Sequence, residues 1–207
     1  MIRARLAHGL PLAALLSTPA LAQMAEPDPT LAPSGTYVTD EHHTGLTFRV
    51  MHFGLSNYTG RLTDVEATLE WNAEDPAASS LTATIGADSV DTDYEGDSDF
   101  DAEIEASFLN AGENPEIVFT STGIEITGET TGRVTGDLSF HGTTQPVVLD
   151  VTFNGAFAEG PVLERPQLGF SATTTIDRTL FGSDHLAPNV GTKVEIWIQA
   201  EFVQDAE

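Results

Sequence analysis

The chain of 207 residues has no cysteine, only eight lysines and arginines against 32 aspartates and glutamates, and no hydrophobic run long enough to span a bilayer. Without cysteine there can be no disulfide, Cys-ligated zinc, iron–sulfur cluster or thiol nucleophile. A formal charge of −24 excludes nucleic acid as a partner, because phosphate binding rests on Lys and Arg releasing counterions. It excludes docking on anionic headgroups through a polybasic patch for the same reason. A Gly-x-Ser-x-Gly elbow, a His-Glu-x-x-His pair, a phosphate loop and a dinucleotide fingerprint are missing as well. Ser183-Asp184-His185 holds the residue types of a triad, yet neighbours in sequence rarely form one and no oxyanion loop accompanies them. These absences favour a binding module over an enzyme, with a periplasmic hydrolase as the competing class.

What is present begins with an export pattern. Arg3 and Arg5 precede a mostly apolar run, Gly9 to Leu16, and Ala20-Leu21-Ala22 has the small-x-small form of a signal-peptidase site. Residues 1–22 are expected to be a signal peptide, and the remainder a periplasmic protein with no stable membrane insertion. Removing two arginines leaves six basic side chains against 32 acids, a charge of −26. Residues 23–35 carry three prolines and no periodicity, which predicts a flexible linker before a domain over 36–204.

Within that domain the hydrophobic period is two. Val65, Ala67, Leu69 and Trp71 alternate with Asp64, Glu66, Thr68 and Glu70, the pattern of a half-buried strand. Similar alternation runs through 46–50, 81–87, 117–119, 134–140, 147–153, 168–176 and 194–202, with turn chemistry such as His141-Gly142 and Asn154-Gly155 between. Helical patterning is confined to 102–111 and 177–181. About eight antiparallel strands result, closed as a barrel or folded as a sandwich, and periodicity alone does not choose. Small inward residues, Ala87, Gly136, Ala172, Thr174 and Ala200, favour a hollow interior.

Between Asp88 and Glu103 lie eight acids and no base. Asp91, Asp93, Glu95, Asp97 and Asp99, with Gly96, follow the first nine positions of an EF-hand calcium loop. The bidentate Glu of position twelve is replaced by Ala102, and no helix is expected before the loop. Ca²⁺ is one reading and a solvated acidic loop the other. His42-His43 lacks a third ligand at a defined spacing and reads as a solvated turn.

Several runs occur together in a specific order. Asp40-x-x-His43 leads into Phe48-x-Val50-x-His52, followed by Ala87-Asp88-Ser89-Val90-Asp91-Thr92 and Asn114-Pro115-Glu116. Gly136-Asp137-Leu138-Ser139-Phe140-His141-Gly142-Thr143, Ile176-Asp177-Arg178-Thr179-Leu180-Phe181-Gly182 and Val190-Gly191-Thr192 complete the set. From Tyr37 to Phe202 the chain resembles the YceI-like family. The resemblance implies an all-β fold, an antiparallel eight-stranded lipocalin-like barrel with one or two short helices, holding a polyisoprenoid or related amphiphile.

The inward residues that would bind such a ligand are Phe48, Val50, His52, Leu69, Ile85, Phe119, Leu138, Phe140, Leu149, Phe170 and Ile196. His52 continues the Leu46, Phe48, Val50 face and could bond a ligand head, or be a core histidine with a buried partner. Where many relatives carry Arg-Asp-x-His-Leu, Phe100-Asp101-Ala102-Glu103-Ile104 has no base to hold an anionic head. Arg49, Arg61 and Arg178 are the candidates to compensate an anionic head, and alternation puts Arg49 on the outer face, so an isoprenoid quinone suits this acidic chain better than a polyprenyl phosphate. A carrier or reservoir is the favoured reading. The alternative is an accessory electron-transfer partner of a membrane cytochrome. The last strand, if it lies at an edge, could pair with a second copy as a homodimer.

Overall fold

The computed structural model describes residues 24–206, so the signal-peptide reading of 1–22 lies outside the described residues. Eleven strand segments follow in order: β1 (Gly35–Thr39), β2 (Gly45–His52), β3 (Ser56–Leu62), β4 (Val65–Trp71), β5 (Ser80–Gly86), β6 (Val90–Asp91), β7 (Glu116–Ile126), β8 (Thr131–Phe140), β9 (Thr143–Phe157), β10 (Gln167–Asp177) and β11 (Val190–Gln204). All pair antiparallel. Three barrel positions are each built from two segments. β11 pairs β2 through Val190 to Gln199 and β1 through Phe202 to Gln204, so β1 and β2 form one interrupted strand. β3 and β4 are halves of the next, facing β2 and β1, and β6 and β5 of the one after. Eight positions close on themselves through β11. The result is an all-β, closed eight-stranded antiparallel barrel with one short helix, which decides against the sandwich.

Closure corrects one expectation. β11 is hydrogen-bonded to β10 on one side and to β1 and β2 on the other, so it offers no edge to a second copy. Register shifts at Ser121/Gly123, Gly169/Phe170 and Val190/Val194 bend the strands as closure demands. The helix α1 (Phe100–Ile104) starts two residues before the sequence pattern predicts, because the Asp99 carboxylate accepts from the Ala102 amide at 3.2 Å. It runs on as a π turn over Glu105–Leu109 and lays Ile104 and Leu109 across one end of the barrel.

Residues 24–35 are not the expected tether. Pro29–Leu31 form a 3₁₀ turn, Glu26 bridges Ala156, and Ala32 is fully buried with Tyr37, Leu69, Trp71 and Leu168. The Trp71 indole donates to the Ala32 carbonyl at 3.2 Å and the Tyr37 hydroxyl to that of Pro33 at 2.7 Å. Leu31 and Ala32 supply apolar surface, and prolines that break helix and strand still suit a segment packed across a barrel end. Burial pushes the Tyr37 phenol up to about 12. An unfolded chain ionises near pH 10, so stability is expected to fall between pH 10 and 12, by up to roughly 3 kcal/mol. Urea unfolding across that range checks it, and the loss should disappear in Tyr37→Phe.

Candidate ligand-binding cavity

A strand of alternating residues closed into a barrel turns one face inward along its length. Here the inward faces enclose a cavity of about 700 Å³, within the range of about 300–1,000 Å³ common for small-molecule sites. All eleven residues singled out by alternation border it. Phe119, Leu138, Phe140 and Leu149 pack with Ile176 and Phe181 as a solid cluster on one side. Leu69 belongs to a second cluster with Trp71, and Ile85 to a third with Leu46 and Leu62. Phe48, Val50, Phe170 and Ile196 are only half-buried although they point inward, because they face the hollow.

The small inward residues divide in role. Ala172, Thr174 and Ala200 border the hollow, whereas the space over Gly136 is filled: a Cβ there would meet the Phe119 ring at 2.3 Å and the Thr120 carbonyl at 2.6 Å. Ala87 is fully buried and does not border the hollow. His52 is not a core histidine with a buried partner. It borders the cavity at the tip of β2 but is exposed, with its ring against Phe53 at 4.7 Å and near Tyr58 at 6.3 Å. From there Tyr58, Phe100 and Tyr94 continue a chain of aromatic contacts, with centroids 5.8 and 5.2 Å apart. Sequence reasoning missed these three. β3 reads Ser-Asn-Tyr-Thr-Gly, whose polar and small residues mute the alternation that places Tyr58 and Leu62 inward.

Electrostatics around the cavity follow from where the six basic side chains of the described residues go. Arg49 pairs with Glu195 and stacks over Trp197 on the outer face. Arg61 donates to Asp91 and Asp93, which raises its pKa and helps the Asp93 amide hold Asp91 low. Arg133 pairs with Asp150, Lys193 with Asp177, and Arg165 donates to the Gln204 carbonyl. Arg178 borders the cavity but is 3% exposed, and its guanidinium donates to the carbonyls of Ser183, His185, Val190 and Gly191 at 2.6–3.0 Å. Burial pulls its pKa down, against the pull of Asp184 and Asp177. Each of these six cations of the described residues thus has a partner within the protein, although the buried Arg49 Nε itself has none.

The acidic loop does not gather into a calcium shell. Asp91 and Asp93 face Arg61, Asp91 also accepts from the Asp93 amide, and Asp99 caps α1. Among the described residues, only Asp40, His43 and Glu201 bring three ligand-type atoms within 4.8 Å of one another. There the Asp40 carboxylate accepts from the His42 amide and holds the His43 ring at 2.9 Å, which lowers Asp40 and raises His43. Ser183 and His185 form no nucleophilic pair: the Ser183 hydroxyl donates to the Phe108 carbonyl at 2.7 Å, and the His185 ring lies edge-on to Phe108.

With this geometry in view, a model of the YceI-like domain matches residues 37–202. The chain belongs to the YceI-like family. UPF0312 proteins of Pseudomonas syringae pv. syringae and Pseudomonas putida strain GB-1 are 33% and 35% identical, over 84% and 68% of this chain and 88% and 71% of their own. Burkholderia cenocepacia BcnA shares the fold at TM-score 0.67 and 20% identity, covering 79% of this YceI-like chain and 98% of that one. A polyisoprenoid binding domain from Saccharophagus degradans, implicated in plant cell wall breakdown, superposes at TM-score 0.64 and 12% identity over 83% and 99% of the two chains. Among the described residues no helix is long and apolar enough to cross a membrane.

Proposed function

We propose that this YceI-like protein carries or stores an isoprenoid lipid with an uncharged head, an isoprenoid quinone in preference to a polyprenyl phosphate, in the periplasm. The observation that carries this reading is the pairing of an apolar hollow with six cations that are all otherwise engaged. A tail entering the hollow gains roughly 0.8 kcal/mol per buried CH₂. A pyrophosphate would meet a strongly acidic exterior, and the guanidinium that borders the hollow, Arg178, spends its donors on backbone carbonyls. The name of the Saccharophagus degradans domain supports an isoprenoid tail, and the gathering of His52, Tyr58, Tyr94 and Phe100 at one end supports a planar head there. The protein acts by binding, without catalysis.

The test has two parts. Native purification followed by organic extraction and mass spectrometry should release an isoprenoid lipid without phosphate. Titration should then rank a short-chain quinone at least about tenfold tighter than an isoprenyl pyrophosphate of equal tail length, a gap of about 1.4 kcal/mol. Equal or tighter binding of the pyrophosphate would overturn the preference for a neutral head, and an empty extract with no titration would overturn lipid carriage.

A further inference from the structure

The tip between β2 and β3 departs from the rest of the surface. From Val50 to Gly60 the chain has no Asp, Glu, Lys or Arg, and the same holds from Leu186 to Thr192, in a protein with 32 acids. The two stretches are neighbours, since the Phe53 amide donates to the Asn189 carbonyl at 2.7 Å. Between them they expose Met51 at 42%, Phe53 at 51%, Leu55 at 85% and Leu186 at 47%. This apolar tip is continuous with the cavity: His52 and Leu186 border the hollow, and the Phe53 ring rests on that of His52.

Backbone conformation sharpens the point. Phe53 and Gly54 have φ of 51° and 71°, and the Leu55 amide closes the turn on the His52 carbonyl at 2.9 Å. Tight turns of this kind favour Asn followed by Gly, because a bulky side chain is disfavoured in the left-handed region. A phenylalanine here works against local folding and is exposed as well. Folding alone therefore does not account for it.

We infer that the charge-free tip of Met51, Phe53, Leu55 and Leu186 is a docking surface for an uncharged lipid bilayer, through which ligand enters and leaves the cavity. The inference rests on the lipid-carrier reading. A hydrophobic ligand resides in bilayers, and a protein this acidic approaches one best through its uncharged stretches. The acidic loop that carries Tyr94 and Phe100 reaches this end through the Tyr58 ring and flanks the tip, so an anionic bilayer would be repelled where an uncharged one is not. Apolar side chains a few ångströms proud of the barrel end would sink into the interface reversibly, with no spanning segment.

Flotation of the full chain with phosphatidylcholine vesicles tests this directly. The wild type should co-float, and Phe53→Asn combined with Leu55→Ser should reduce the bound fraction at least about tenfold, given the burial two large apolar side chains supply. Asn suits the turn, so the variant should fold at least as well, which thermal unfolding checks. Adding phosphatidylglycerol should weaken wild-type binding at low salt, and salt should restore it. Equal co-flotation of variant and wild type would overturn the proposal, as would absence of wild-type binding. A concentration-dependent dimer in sedimentation that the same substitutions abolish would assign the tip to a second copy instead. Quinone titration without vesicles is measured separately. If it fails while flotation persists, the carrier reading falls and the docking surface stands.

Discussion

Replacing Thr174 by Trp should empty the barrel without unfolding it. Thr174 lies inward on β10, opposite Ile196 in the register, and it is half-buried because it faces the hollow. An indole placed there occupies space that the rest of the core does not need, so the overpacking cost of about 1–3 kcal/mol seen in filled cores is not expected in full. The ligand loses that space. Displacing four or five CH₂ groups of a tail removes roughly 3–4 kcal/mol of burial, more than about a hundredfold in affinity. Thr175, the next residue, is exposed on the outer face. Thr175→Trp should bind as the wild type does. Lipid recovered by extraction and the quinone titration midpoint read both variants, and a Thr174→Trp protein with undiminished lipid would place the ligand somewhere other than the barrel interior.

Alternation made this prediction possible before any coordinates, since a period of two states which residues share a face. Closure was not legible in the same way. The strands broken at 40–44, 63–64 and 87–89 look in sequence like separate elements, and only the register joins β1 to β2 along a single neighbour, β11. Eight barrel positions and eleven segments are both correct, because a bend interrupts a ladder without changing which strand follows it. Residues 24–35 differ from the expected linker for a related reason: prolines exclude regular structure but do not exclude burial, and Ala32 is among the most buried of the described residues. Loop spacing also could not show the long-range chemistry around the expected calcium ligands. Spacing within the loop resembles a ligand set, yet Arg61 arrives from β3, some thirty positions away, and takes Asp91 and Asp93 as its own partners.

Arg178 is the residue whose role changed most between sequence and structure, and its loss should be the most damaging single substitution to the fold. It stands in the sequence as one candidate to hold an anionic head. In the structure four N–H groups point at the carbonyls of Ser183, His185, Val190 and Gly191, and the face of the guanidinium lies over Phe108 at 5.3 Å. No carboxylate contacts it among the described ion pairs, so backbone carbonyl dipoles solvate the charge, with Asp184 and Asp177 acting on it from a distance. Arg178→Met retains the apolar stem but leaves those carbonyls without their donors. Buried groups deprived of hydrogen bonds cost about 1–3 kcal/mol each, though relaxation and water recover part, and a net loss of roughly 3–5 kcal/mol is expected. At about 2–4 °C per kcal/mol for a domain of this size, Tm should fall by roughly 10 °C. Lysine presents a point charge with no fork and cannot reach four carbonyls in one plane, so Arg178→Lys should recover less than half of the loss in urea unfolding. Full recovery would show that charge alone, and not the planar array of donors, fixes the segment. That segment carries Leu186 to the cavity and Asn189 to the Phe53 amide. The same array of four hydrogen bonds therefore sets the position of the loop that borders the lipid-sized hollow, and slack in it should raise the exchange rate of bound ligand even where the barrel remains folded.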